Sequence, residues 1–434
     1  MSIGLAILLL FGLFFVLLFL GCPISVGLVA ASLFTALTVQ PWGSICPLIM
    51  KKMNGGVENF SLLAFPLFIL AGNLMNNGGI ANRLVAFAKL FVGRIPGSLA
   101  HANVVGNMLF GSLSGSSVAA CSAMGGCIYP IQKREGYDPA FAASVNIASA
   151  PSGMLIPPSN GFIIYATVVG GTSISALFMA GYVPGILMGL GTMLVAYIYA
   201  KRHNYKVSGG QSLSIWIKTS LEAIPSLLMI VVVIGGIVGG IFTATEAAGV
   251  SVLYCFILSL LYRSISVKSF IRILVESAVI SAVILFLISA STAMSYVMVR
   301  TGIPGAISKA ILSVSDNMIV ILLLINVLLL VIGMFMDMTP AILIFVPIFW
   351  PIVHSFGMTS IQFGTMLIYN LCIGAMTPPV GSVLFVGCGI TKLKIEQVSK
   401  MLLPYFLMLI LILLLITYIP ALSEALPRAL GLMG

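Results

Sequence analysis

Apolar residues in this chain come in continuous runs and do not alternate with polar ones. Ile3–Leu20, Ile217–Phe242, Ile319–Met336 and Met401–Ile419 are each long enough for a bilayer-crossing helix, which takes about 20 residues. A membrane β-barrel needs short alternating strands, so the pattern predicts an all-α polytopic integral membrane protein. Composition agrees. Of 434 residues, 60% are hydrophobic and 7% charged, where a soluble domain carries about 25% charged residues. So little charge cannot cover a surface that faces water. The first run lacks a positive lead-in and a small-residue cleavage site, so it is expected to remain as a helix. The seven cysteines form no CxxC pair and are expected to pack as small apolar groups.

Four polar, Gly- and Pro-rich stretches break the apolar pattern: Gly111–Ser117, Pro151–Asn160, Gly333–Pro340 and Gly374–Gly381. They recur at a near-constant spacing. Tyr129–Pro158 aligns without a gap on Trp350–Pro379 at a shift of 221 residues, so that Pro130 meets Pro351, Gly153 meets Gly374, and Pro157-Pro158 meets Pro378-Pro379. Gly111 meets Gly333 and Gly27 meets Gly249 at a shift of 222, and Gly79-Ile80 meets Gly302-Ile303 at 223. The chain is an internal duplication.

Charge decides how the halves are oriented. The net charge is +10, which in a membrane protein reflects cytoplasmic loops and implies no nucleic-acid partner. Put the loops around Arg83, Lys89, Arg94, Lys133 and Arg134 inside. Alternating crossings then also put Lys201, Arg202, Lys206, Lys218, Arg263, Lys268, Arg272, Lys392, Lys394 and Lys400 there. Only Lys51, Lys52, Arg300, Lys309 and Arg428 of the 20 basic residues fall outside. This puts the N-terminus outside and gives each half five crossings, an odd number, so the second half is inverted. Ser98–Ile131 and Asn317–Pro351 are too long for one helix and are broken in the middle. Both are expected to be re-entrant hairpins.

Irregular backbone survives at membrane depth only where it lines a protein cavity. Paired prolines leave carbonyls of the preceding turn unpaired. Those oxygens, with Ser and Thr hydroxyls, suit a desolvated alkali cation. Helix N-termini bring bare N–H groups and a positive dipole end, which suit an anion. Paired broken helices in inverted repeats mark secondary-transport sites near the midplane. An acid inside an apolar segment is costly, so Asp337 is either functional or a helix cap. Glu246 is expected to cap a helix, and His101, His203 and His354 to lie in loops or at the interface. Arg83, Lys89 and Arg94 lie on a short segment expected to form an amphipathic interfacial helix.

The stretches Gly111-Ser112-Leu113-Ser114-Gly115-Ser116-Ser117-Val118-Ala119, Ile156-Pro157-Pro158-Ser159, Gly240-Ile241-Phe242-Thr243-Ala244-Thr245-Glu246-Ala247-Ala248 and Gly333-Met334-Phe335-Met336-Asp337 resemble the large M (DctM-like) subunit of tripartite ATP-independent periplasmic (TRAP) transporters. The resemblance covers nearly the whole chain. One departure is Ala244, where proline is expected before the threonine. The resemblance implies a sodium-coupled elevator in the bacterial inner membrane. It also implies a small Q-type membrane subunit, a periplasmic binding protein, carboxylates or sugar acids as substrates, and no cofactor beyond the coupling Na+. Expected boundaries are 1–78 scaffold, 79–96 amphipathic arm, 97–200 first half of the transport domain, 201–300 scaffold, 301–316 arm and 317–434 second half of the transport domain.

Other readings stay in view. No GxxxxGK[ST] occurs for ATP binding. Ser112-Leu113-Ser114-Gly115 has the look of an intramembrane serine protease motif, but such a serine needs a base within reach. A channel would not need a second, inverted site. A symporter working without a binding protein is the nearest alternative. The expected cation ligands are Ser114, Gly115, Ser116, Ser117, Pro151, Ser152, Gly153 and Pro157 in one half, and Gly333, Asp337, Gly374, Thr377 and Pro378 in the other. Substrate contacts are expected from Ser116, Ser117, Ser159, Asn160 and Thr339.

Overall fold

The computed structural model describes residues 3–39, 41–77, 80–92, 95–205, 213–315 and 317–433. Arg94, Lys206 and Asp316, placed in loops or arms above, lie outside the described residues. The first half holds α1 (Ile3–Phe19), α2 (Ile24–Leu37), α3 (Trp42–Gly55), α4 (Ala64–Asn77), α5 (Ile80–Val92), α6 (Ser98–Ser114), α7 (Ser117–Arg134), α8 (Pro139–Ser149), α9 (Ser152–Leu155), α10 (Asn160–Val169) and α11 (Ile174–Arg202). The second holds α12 (Leu213–Val238), α13 (Ala244–Leu261), α14 (Val267–Thr301), α15 (Ile303–Leu312), α16 (Met318–Phe335), α17 (Met338–Ser355), α18 (Ser360–Gly374), α19 (Ser382–Thr391), α20 (Ile395–Tyr418) and α21 (Ala421–Ala429). Among the described residues, seven helices are long and apolar enough to cross a membrane, or eight with the bent α3–α4 pair counted once.

Polar caps set where the apolar runs start. Asp138, Ser173, Ser266 and Thr359 each accept the backbone N–H three residues on, which opens α8, α11, α14 and α18. Thr243 and Glu246 form a reciprocal capping box at the start of α13, so Glu246 has the capping role expected of it.

The halves match in helix order, apart from the short α9 of the first, α21 at the end of the second, and one bend. Gly55-Gly56-Val57-Glu58-Asn59 breaks the run in the first half and bends it by 62°. The corresponding α14 is continuous over 35 residues.

Helices α2, α3 and α4 pack on α14, and α4 packs on α13. The hairpins α6–α7 and α16–α17 pack on the broken spans α8–α10 and α18–α19. Two of the contacts that join the halves, α10 on α17 and α19 on α7, link each broken span to the opposite hairpin. They are each other's repeat mates. Helix α5 lies on α6 and α12, and α15 lies on α17 and α14.

Hairpin depth follows from lengths. Helices α8 and α10 have 11 and 10 residues, each about 15 Å, or half the hydrocarbon core. The first hairpin's turn rests on the break between them, where Asn160 Nδ2 donates to the Gly115 carbonyl at 3.3 Å. The second hairpin's turn rests on the other break, where the Val380 N–H donates to the Met334 carbonyl at 3.2 Å. Helices α16 and α17 are each long enough to cross, yet their shared turn rests on the α18–α19 break, which the short helices α18 and α19 set near mid-depth. Both hairpins are re-entrant.

Candidate functional site

The first turn is made by Gly115, whose φ of 60° is the left-handed conformation that glycine adopts without strain. Ser114 donates weakly to the carbonyls of Gly111 and Ser116, both at 3.4 Å. Ser116 is the N-cap of α7 and accepts the Ala119 N–H at 3.2 Å, and Ser117 begins the helix. In the facing break, Ser152 donates to the Ser149 carbonyl at 2.6 Å. Pro157-Pro158 is cis, and Ser159 caps α10 by accepting the Phe162 N–H at 3.4 Å. The other amide atom of Asn160, Oδ1, is buried with no partner. One turn back, Gly111 and Gly153 meet backbone to backbone, with no space for a Cβ on either. The turn therefore meets residues 158–160, and Pro151–Gly153 lies against α6 behind it.

The second turn repeats this plan with different chemistry. Gly333 and Gly374 touch as Gly111 and Gly153 do. Asp337 occupies the position of Ser116, 221 residues on, but makes no capping bond. Its Oδ1 accepts from Ser382 Oγ at 3.3 Å. The helix-cap alternative for Asp337 is thereby absent from this conformation. Thr377 Oγ1 donates to the Ile373 carbonyl at 2.7 Å, which leaves its lone pairs free. The carbonyls of Ala375 and Thr377 press on the face of Gly381, where a Cβ would lie 2.7 and 2.8 Å from them. Pro378-Pro379 is cis.

The irregular stretches are shorter than expected from the sequence. Gly111–Ser114 and Gly333 are helical, and Thr339 and Pro340 already belong to the first turn of α17. Proline is tolerated there because first-turn N–H groups have no partner inside the helix. His101 is buried in the first turn of α6, at the mouth of the hairpin and not in a loop. His203 and His354 are exposed at helix ends. Ser112 donates to the Leu109 carbonyl at 2.9 Å. Among the described residues no imidazole or carboxylate bonds to Ser112 or Ser114, so the protease reading has no base.

All four breaks meet in one place. Asn160 bonds to the first turn, and Gly161 lies against Met338 Sδ. Ser382 bonds to Asp337, and Cys121 Sγ lies 3.8 Å from the Val383 carbonyl. Cys372 Sγ lies 3.5 Å from the carbonyl of Pro151, its own repeat mate, so the pseudo-two-fold axis passes between them. The N-termini of α7, α10, α17 and α19 thus bring their positive dipole ends to a common region. The Gly55–Asn59 bend went unread in the sequence, although two adjacent glycines and an Asn-capped turn announce it.

An inverted repeat whose four broken helices meet in one place fits a multi-pass membrane permease. Comparison with known proteins gives the family. Residues 11–422 match the model of the tripartite ATP-independent periplasmic transporter, DctM component. The chain is 49% identical to YgiK of Salmonella typhimurium over 97% of both proteins. It is 36% identical to the sialic acid TRAP transporter large permease SiaM of Vibrio cholerae, over 95% of this chain and 96% of SiaM. It is 34% identical to the 2,3-diketo-L-gulonate TRAP transporter large permease YiaN of Escherichia coli, over 93% of this chain and 97% of YiaN. The fold also resembles the YdaH transporter of Alcanivorax borkumensis, with a TM-score of 0.52 at 15% identity, over 82% of this chain and 86% of that one. This chain belongs to the DctM family of TRAP transporter large permeases, and is a multi-pass inner-membrane transport protein, not an enzyme.

Proposed function

We propose that this permease takes up a small organic anion, a carboxylate or sugar acid, driven by sodium. The observation that carries the reading is the meeting of four helix N-termini at a place where none of the four broken segments contains Arg or Lys. Negative charge must then be balanced by dipole ends and by bound cations. The oxygens present fit sodium. The carbonyls of Gly115, Pro158, Ala375 and Thr377 and the Thr377 hydroxyl are hard ligands with spare lone pairs. Ser114, Ser116, Ser117 and Pro157 would serve one cation site, with Pro151, Ser152 and Gly153 supporting it from behind against α6. Gly333, Asp337, Gly374, Thr377 and Pro378 would serve its mate. Substrate would meet Ser116, Ser117, Ser159, Asn160 and Thr339, with the free Asn160 Oδ1 accepting a donor from it.

In this reading α6–α11 and α16–α21 move as one elevator against α1–α4 and α12–α14, with α5 and α15 as the linking arms. A periplasmic binding protein delivers the anion, and a small Q-type subunit completes the membrane complex. If no further subunit copurifies, a symporter working without a binding protein replaces this arrangement.

Calorimetric titration with substrate in sodium and in choline buffers tests the coupling. Substrate affinity should rise with sodium, and sodium affinity should rise with substrate by the same factor. Equal substrate affinity in both buffers would remove sodium coupling and point to a basic ligand elsewhere.

A further inference from the structure

A cavity of about 340 Å³ lies on the expected outer side of the broken helices, enclosed by the α3–α4 bend, α14, α10 and α17. Thr167 is seven residues beyond Asn160, so the cavity sits about 10 Å along α10 from the helix starts. It exists because the first half bends where the second runs straight. The bend holds Gly56 against Thr292, and a Cβ on Gly56 would collide with the threonine hydroxyl.

The lining is polar without charge. Of the residues around the cavity, Asn59, Thr167, Ser291, Thr292 and Ser295 carry polar side chains, and none is ionisable. Three of the four hydroxyls have already placed their protons. Thr167 donates to Ile163 at 2.8 Å, Ser291 to Leu287 at 2.8 Å and Thr292 to Ile288 at 2.9 Å, all backbone carbonyls. Toward the cavity these oxygens present lone pairs. Asn59 Oδ1 is used by the Ser61 N–H, so its amide N–H groups and the Ser295 hydroxyl are the side-chain donors on offer. A wall made mostly of acceptors receives hydroxyl and amide N–H groups. It disfavours a second carboxylate, which is itself an acceptor and would enter without a counter-charge.

We infer that this cavity is a vestibule for the uncharged end of the substrate, and that the substrate is a monocarboxylate with a donor-rich, polyhydroxylated chain and not a plain dicarboxylate. The inference rests on the proposed function, because it places the carboxylate at the helix N-termini. The division of labour is chemical. N–H donors at the dipole ends hold the anionic end, and lone pairs in the vestibule sort the rest of the molecule.

The test uses the chain purified in detergent with the subunits that copurify, in sodium buffer, with gluconate and succinate as probes in calorimetry. Gluconate should bind at least about tenfold more tightly than succinate, the loss expected when a site built for hydroxyl groups meets a ligand lacking them. Thr292→Val and Thr167→Val keep shape and remove an acceptor. Each should weaken gluconate by about three- to tenfold and leave succinate unchanged. The inference is overturned if succinate binds as tightly as gluconate, or if the variants weaken both acids equally. Failure of the underlying reading looks different, because neither acid would then show sodium-dependent binding to the wild-type protein. Should a valine variant unfold, Ser291→Ala supplies the same comparison with a smaller change in shape.

Discussion

The two broken spans share their glycines and prolines and differ in what surrounds them. In the first, every residue from Pro151 to Asn160 except Met154 is buried. The turn that rests on it is covered in part by α4, whose Gly72 allows close approach to the Ser114 backbone. In the second, Pro379 and Val380 are exposed, as are Asp337 and Phe335 of the facing turn. A carboxylate facing lipid near mid-depth would cost roughly 3 kcal/mol, so the open face around Asp337 is one that meets water or a further subunit and not lipid. Sequence symmetry therefore does not impose symmetry of state. The first break is sealed by its neighbours and its mate is open.

The largest effect is in access. Ser159 and Val380 are repeat mates, one sealed and one 47% exposed. With the seven native cysteines removed, Val380→Cys should react fully with a charged, membrane-impermeant thiol reagent in inside-out vesicles, and Ser159→Cys should not react at all. Equal labelling of the two would dissolve the comparison. Reversal of the pattern in sodium and substrate would sharpen it, by showing that the same chain visits the mirrored state.

Packing should differ next. A methyl on Gly153 meets the Gly111 backbone, and one on Gly374 meets the Gly333 backbone. Overpacking typically costs about 1–3 kcal/mol. The sealed half has nowhere to relax, so Gly153→Ala belongs at the upper end of that range. Gly374→Ala belongs at the lower end, because the neighbouring Thr377–Val380 segment is partly open. Thermal unfolding followed by thiol-reactive dye in detergent ranks them. Equal losses would mean that both breaks are equally rigid.

The third comparison pairs Ser116 with Asp337. Ser116 caps α7, so Ser116→Ala should cost about 1 kcal/mol of stability and, as loss of a neutral oxygen of the proposed cation site, should weaken the sodium response less than loss of a charge. Asp337 makes no cap. Asp337→Asn should instead raise the sodium concentration for half-maximal uptake by about tenfold, the scale of a single charge-assisted contact. Thr377→Val should move it in the same direction by less. An unshifted sodium curve in a well-expressed Asp337→Asn would take Asp337 out of the cation site.

Much of this was legible in the sequence, for a physical reason. The turn at Gly115 and the breaks at Pro157-Pro158 and Pro378-Pro379 are made by residues whose backbone constraints are local, so their positions and repeat spacing could be read directly. Asp337 announced itself because charge in an apolar run is costly, although the sequence left a functional role and a helix cap both open. The breadth of each break was overread. Gly333 and Pro340 are helical because a glycine costs a helix little when it also permits a close contact, and a proline fits the first turn. The burial of His101 and the sealed-versus-open contrast were not legible. Both depend on which helices from distant parts of the chain lie alongside, and no local pattern encodes that.

The smallest expected effect lies in the arms, which differ as the two pockets do. The Arg83 guanidinium on α5 sits 3.5 Å from the centre of the Tyr262 ring at the end of α13. Its mate α15 is held through buried Ile303 and Ile311. A cation over an aromatic face at a partly exposed site contributes about 0.5–1 kcal/mol. If that contact anchors the first arm to the static helices, Arg83→Ala and Tyr262→Ala should each lower stability by about this amount, and Tyr262→Phe, which keeps the ring, should lower it less. The double variant should lose no more than either single change, because one contact cannot be removed twice. Lys309→Ala on α15 should be silent. Losses at Arg83 and Tyr262 that simply add would show that the two side chains contribute separately, and that the first arm, like the second, is held by apolar packing alone.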